Sequence, residues 1–153
     1  MNEFVYPEIK PGLYLVSLPV GCLSDISFRA LHMLSNSDYV AGEDTRSVRS
    51  LFKLLKISKS MKSIISYHDH SSAHTRGKII ELIKQGKSVA LVSDAGTPLI
   101  SDPGYKLVKT VIKEGFEVFS VPGPSSVIAA LTVSGLPTDT FSFLGFLPHI
   151  KSK

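Results

Sequence analysis

A lone cysteine and no long apolar run exclude several classes of protein at once. Cys22 is the only cysteine among 153 residues. An internal disulfide framework is therefore impossible, and the thiol content fits a reducing, cytosolic compartment. No stretch reaches the ~20 consecutive apolar residues of a membrane span. Met1 to Pro11 holds two acids and a lysine and lacks the apolar core of a signal peptide. Phosphate-loop fingerprints are missing as well. No Gly-x-Gly-x-x-Gly opens a helix and no Gly-Lys-Ser/Thr follows a glycine-rich loop, which counts against ordinary dinucleotide and P-loop chemistry. There is no low-complexity tract and no internal repeat. What is present is a globular composition, 43% hydrophobic and 20% charged, with enough chain for one domain and its own core. The net charge of +4 is compatible with a nucleic-acid partner and equally with a lysine-rich solvated surface.

Apolar runs of strand length alternate with helical spacings along the whole chain. Strands are expected at 13–18, 39–41, 63–67, 89–92 and 116–121, with a last one at 141–146. Between them, Ile26, Ala30, Met33 and Leu34 mark a helix capped by Ser24 or Asp25. Further helices are marked by Val48, Leu51, Phe52 and Leu55, then Ile79, Ile80 and Ile83, then Leu107, Val108, Val111 and Ile112 on one face, and last Val127, Ile128 and Leu131. This alternation predicts an α/β fold, an open, mostly parallel sheet flanked by helices. A polar leader is expected over 1–11, the domain over 12–147, and the start of a linker over 148–153.

The most unusual stretch is Ser93-Asp94-Ala95-Gly96-Thr97-Pro98-Leu99-Ile100-Ser101-Asp102-Pro103-Gly104. It joins a strand to a helix, so it falls at the carboxyl edge of the sheet, where open α/β folds bind ligands. Gly96 permits close approach of a ligand to the backbone. Asp94, Ser101 and Asp102 are expected to point into one crevice. The turns at Pro19-Val20-Gly21 and Pro122-Gly123-Pro124-Ser125-Ser126 also follow strands and fall on the same edge. Together they suit a neutral or zwitterionic ligand held largely by backbone groups.

Glu43 and Asp44 are candidates either for paired carboxylates in acid–base work, with Arg46 as an anion anchor, or for a helix start in which Asp44 or Thr45 caps and the acids favour the dipole. His68, His70 and His74 with Asp69 invite a metal reading. With one cysteine and no His-Glu-x-x-His, substrate contact or a solvated loop is the stronger expectation, and no metal is assigned. Cys22 has no evident base beside it and is not expected to be a nucleophile.

Six stretches in order carry a resemblance: 13–25 (LYLVSLPVGCLSD), 42–46 (GEDTR), 66–70 (SYHDH), 90–104 (ALVSDAGTPLISDPG), 121–126 (VPGPSS) and 134–139 (SGLPTD). The chain resembles the N-terminal half of the bacterial small-subunit ribosomal RNA cytidine 2′-O-methyltransferases, a branch of the tetrapyrrole-methylase superfamily. The resemblance implies S-adenosylmethionine as methyl donor and a ribose hydroxyl of ribosomal RNA as acceptor. It places Pro19, Asp94, Ala95, Gly96, Thr97, Ile100, Ser125 and Ser126 at the donor. Asp44 and His68 become candidates for activating the hydroxyl, and Glu43, Arg46 and His70 for holding RNA. Cys22 stands where the family usually has Asn, and Ser71-Ser72 replace its usual Asn-Glu. Family members continue into a second α/β domain and form homodimers. Partners implied are therefore the small ribosomal subunit, a second copy, and, for a split-gene product, a separately encoded C-terminal half. Two other readings are a methyltransferase acting on a small tetrapyrrole, which the Asp-Ala-Gly-Thr-Pro and Glu-Asp-Thr-Arg wording disfavours, and a non-catalytic remnant.

Overall fold

The structure, a computed structural model, describes residues 6–68 and 73–147. Five parallel strands form one sheet in the order β3-β2-β4-β1-β5. They are β1 (Gly12–Val16), β2 (Tyr39–Gly42), β3 (Ile64–Ser66), β4 (Ser88–Val92) and β5 (Val118–Val121). The helices are α1 (Phe28–Asn36), α2 (Thr45–Leu54), α3 (Ala73–Lys84), α4 (Tyr105–Lys113) and α5 (Ser126–Val133).

The two-residue period of the strands divides the core. Tyr14, Val16, Val40, Ala90, Val92 and Val121 face one side, where α1 and α2 add Ala30, Met33, Leu34, Val48 and Phe52. Leu13, Ala41, Ile65, Val89 and Leu91 face the other, against Ile79, Ile80 and Ile83 of α3 and Leu107 and Val111 of α4. All five residues of β4 are buried, as a central strand covered on both faces requires. The chain thus winds outward through α1 and α2 on one face and returns through α3 and α4 on the other. In consequence the β4 connection leaves for the opposite face from those of β1 and β2. Such divergence opens crevices at the carboxyl edge.

Several details depart from the sequence expectations. Ser27, not Ser24 or Asp25, caps α1: its side chain accepts from the Ala30 amide at 3.0 Å, while 23–25 form a separate 3-10 turn. Ile112 is 61% exposed, because the core-facing stripe of α4 is Leu107 and Val111. Helix α5 has no buried residue, so Val127, Ile128 and Leu131 do not reach the core. Residues 141–147 form no strand. The outer edges of β3 and β5 pair with no described strand, and the segment joins neither. It leaves Leu144, Phe146 and Leu147 largely exposed. Of the expected leader, Ile9 packs on the core and the Tyr6 ring stacks on His32 at 4.2 Å. Among the described residues no helix is long and apolar enough to cross a membrane.

At the amino edge, Asp38 ties β2 to β4. Its carboxylate accepts from the Ser88 amide at 2.9 Å, the Ser88 hydroxyl at 2.8 Å and Lys87 Nζ at 3.3 Å. Burial pushes its pKa up, but these donors outweigh that and leave it below the ordinary value of 3.8. A depressed carboxylate adds stability above its unfolded-state pKa and loses it as pH falls through the folded one. Asp38→Ala is expected to cost about 1 kcal/mol at neutral pH, discounted for the partial exposure of the pair. In urea titrations at a series of pH values, the gap between variant and parent should close as the pH falls below 3.8.

Candidate active site

Every turn singled out in the sequence sits at the carboxyl edge. The β1 and β4 turns lock together first. Leu18 and Gly96 exchange both backbone hydrogen bonds, at 2.8 and 3.1 Å, in an antiparallel bridge. Gly96 has a φ of +71°, and an added Cβ would meet only Val20 at ordinary contact distance. The backbone turn therefore requires glycine here, and its amide is spent on Leu18.

Thr97 ties in the β5 turn. Its hydroxyl donates to the Pro124 carbonyl at 3.0 Å, so the Ser17 hydroxyl, also 3.0 Å away, donates to Thr97. Ser17 is 1% exposed, and an added Cβ at Gly123 would stand 2.9 Å from the Ser17 Cβ. This three-turn chain was not legible in the sequence. Ser17 and Thr97 are 80 residues apart, and Ser17 lies in an otherwise apolar run. Thr97→Val keeps the shape but strands the Ser17 hydroxyl and the Pro124 carbonyl. It should cost about 2 kcal/mol in chemical denaturation. Ser17→Ala added to it should cost much less than alone, since the two act as one unit.

On either side of the β4 turn lies a cleft. One, of about 230 Å³, is lined by Leu18, Pro19, Ser47, Leu51, Ser93 and Asp94, among others. The second, of about 280 Å³, is lined by Ala95, Ile100, Ser101, Asp102, Ser126 and Phe143, among others. Asp94 lines the first cleft and Ser101 and Asp102 the second, so the three do not line one crevice. The expected donor residues divide accordingly: Ala95, Ile100 and Ser126 line the second cleft, Pro19 and Asp94 the first. Gly96 and Thr97 hold the partition, and Ser125 is the N-cap position of α5 without a side-chain cap bond. Burial pushes the Asp102 carboxyl above the usual carboxylate range, and the charge of Asp94 adds to this against a Ser93 hydrogen bond. Neither cleft is lined by a lysine or an arginine. That electrostatic setting suits a cation and disfavours a phosphate.

The β2 and β3 turns complete the edge. Gly42 is in register with Ser66, and the Tyr67 amide donates to the Gly42 carbonyl at 2.8 Å. Asp44 and His68 each follow two residues beyond that pair. Asp44 is the N-cap of α2, accepting from the Arg46 amide at 2.8 Å, and its oxygens also take the Arg46 guanidinium at 2.8 and 3.1 Å. The Arg46 side-chain bond is the main reason its pKa lies below the ordinary carboxylate value. Glu43 is exposed, and among the described residues it takes no part in the Asp44–Arg46 network. Of the two alternatives for this turn, the cap is the one the fold adopts. His68 is partly buried. His70 and Asp69 lie outside the described residues. Among the described residues no group of three potential ligands could hold a metal ion.

The profile of the Tetrapyrrole (Corrin/Porphyrin) Methylases matches residues 12–149, nine-tenths of the chain. The chain belongs to that family. Within it, the chain is 50% identical over 147 residues to a protein of Mesorhizobium japonicum named ribosomal RNA small subunit methyltransferase I, covering 96% of this chain and 49% of that protein. The relative of the same name from Rickettsia prowazekii is 51% identical over 146 residues, with 95% and 51% covered. Solved structures agree on the fold. A cobalt precorrin-4 methyltransferase superposes with a TM-score of 0.62 at 20% identity, covering 80% of this chain and 49% of that one. Diphthine synthase does so with 0.63 at 19% identity, over 82% and 49%. The chain spans about half the length of the curated relatives it matches. The methylase fold thus confirms the expected α/β class, with the sheet's carboxyl edge as its candidate site.

Proposed function

We propose that this chain supplies the donor-binding half of an S-adenosylmethionine-dependent methyltransferase that modifies a cytidine ribose 2′-hydroxyl in small-subunit ribosomal RNA. The observation that carries the reading is the 50–51% identity, along almost the whole chain, to the relatives so named. The clefts fit the donor: they offer apolar walls, serine hydroxyls and the carboxylates of Asp94 and Asp102 to a sulfonium cation, and no basic side chain for a phosphate. Ala95, Ile100, Asp102 and Ser126 would hold it in the second cleft, over a floor fixed by Ser17, Thr97 and the Pro122–Pro124 turn. The bound donor supplies a sulfonium-activated methyl group.

The protein's own tasks are then to align the hydroxyl and to accept its proton as the oxygen–carbon bond forms and the carbon–sulfur bond breaks. Of the two candidates for the proton, Asp44 is committed to the α2 cap and to Arg46, which lowers its basicity. The reading therefore assigns proton removal to the His68 imidazole and makes Asp44 the residue that positions Arg46.

Relatives are about twice as long, and 126–147 exposes Ile128, Val133, Leu136, Leu144, Phe146 and Leu147. Large apolar side chains exposed this densely in one segment fit an interaction surface. The reading places the remaining half of the longer protein on it, whether continuous with this chain, separately encoded, or presented by a second copy. The test is transfer of a radiolabelled methyl group to undermethylated small ribosomal subunits, with nucleoside analysis of the RNA. Label in 2′-O-methylcytidine supports the reading. Label in another nucleoside, or in no RNA while a tetrapyrrole is methylated, refutes it.

A further inference from the structure

The charge of the chain is concentrated in one segment. From Thr45 to Tyr67 there are six Lys and Arg and not one of the chain's 13 Asp and Glu. With 17 Lys and Arg in all, the rest of the molecule is left with eleven cations against thirteen acids. A chain of net charge +4 is thus a net acidic body carrying one basic band.

The fold lays the first three of these cations out as a line, with Lys56 just beyond the end of α2 and Lys62 in the turn before β3. Arg46, Arg49 and Lys53 fall at i, i+3 and i+7 of α2, which puts them on one stripe about 10 Å long. Val48 and Phe52 face the core, and Ser47, Leu51 and Leu54 face the first cleft, so the stripe lies on the remaining side of the helix. Arg49, Lys53, Lys56 and Lys62 are exposed, and among the described residues none of them is in a salt bridge. Lys59 differs: its ammonium donates to the carbonyls of Ser35 and Ser37 and closes the C-terminus of α1, and burial depresses its pKa. The line begins at Arg46, whose side chain is 86% exposed although Asp44 holds its guanidinium. That start is the β2 turn, beside the β3 turn that carries His68.

We propose that Arg46, Arg49, Lys53, Lys56 and Lys62 form a track for the phosphates of the RNA strand that delivers the acceptor nucleotide. This rests on the RNA reading above and extends it to residues outside the sheet edge. A row of cations along one helix face, starting at the acceptor turn, fits a single backbone threaded past the site. The two clefts, which hold no cation, stay free for donor and nucleoside. Phosphate contacts of this kind set register and affinity without reading sequence.

The test compares the parent chain with Arg49→Gln/Lys53→Gln and with Lys106→Gln/Lys109→Gln on α4, all checked for folding by circular dichroism. Binding of a fluorescein-labelled single-stranded RNA of mixed sequence is followed by anisotropy against potassium chloride concentration. For single strands each lost phosphate contact removes about 0.7 from the slope of log affinity on log salt. The α2 variant should therefore lose about 1.4 in slope and roughly tenfold in low-salt affinity, while the α4 variant keeps both values. An α2 variant with the parent's slope, beside a parent that binds, overturns the track and leaves the RNA reading standing. A parent that ignores the RNA at low salt overturns both readings. Binding instead to vesicles of anionic phospholipid would assign the band to a membrane surface.

Discussion

His68→Ala is expected to slow methyl transfer to small subunits by about a hundredfold or more, the usual worth of a positioned general base. Donor affinity should stay unchanged, because His68 belongs to the β3 turn and neither cleft is lined by it. Asp44→Asn provides the contrast. An asparagine still caps α2 through its carbonyl oxygen but no longer holds the guanidinium by charge. Its effect should therefore appear chiefly as weaker RNA binding at raised salt, with turnover at saturating RNA falling far less than in the histidine variant. Single-turnover rates at saturating donor separate the two. If Asp44→Asn abolishes turnover while His68→Ala retains it, the roles are reversed and the carboxylate is the base despite its engagement with Arg46.

The second large effect is on stability. Gly104 has a φ of +137°, where an L side chain is strained whatever the space. A Cβ there would also stand 2.9 Å from Leu91 Cδ2 and 3.0 Å from Leu99 Cδ1. Leu91 is buried in the central strand, and Leu99 is itself held at a φ of +73°, so neither moves away cheaply. Gly104 is the N-cap of α4, with its carbonyl accepting from the Val108 amide at 3.0 Å. Gly104→Ala should cost about 3 kcal/mol, combining backbone strain with overpacking. For a domain of this size that lowers Tm by about 6–12 °C. A loss below about 0.5 kcal/mol would show that the turn tolerates another conformation.

Much of this site was legible because the chain alternates cleanly. The period of two in β1 and β4 and the 3.6-residue spacing in α2 and α3 fix which residues face inward. Once the strands are parallel, every strand-to-helix turn falls on one edge, and the turns at Pro19, Asp44, Asp94 and Pro122 follow from that. The misses have a common cause: they depend on partners distant in sequence. Phe141-Ser142-Phe143 alternates like a strand, yet it pairs with neither edge of the sheet. Asp94 and Asp102 belong to one loop, but the bridge from Gly96 to Leu18 divides the loop between two clefts. Ser17 carries no signal of its own, because its role exists only where Thr97 and Gly123 press against it. The basic band between Thr45 and Tyr67 is the opposite case, visible by counting charges yet without meaning until α2 arranges Arg46, Arg49 and Lys53 in a line.

On the proposed function, the cleft between the β4 turn and the start of α5 holds the methyl donor. Calorimetric titration of the chain with S-adenosylmethionine tests it most directly, with Ser126→Trp to fill the cleft and Arg49→Gln/Lys53→Gln as a charged-surface control. One-to-one binding is expected for the parent and the control, lost in Ser126→Trp although that variant remains folded. A parent that takes up no donor, or a Ser126→Trp variant that titrates like the parent, would contradict it.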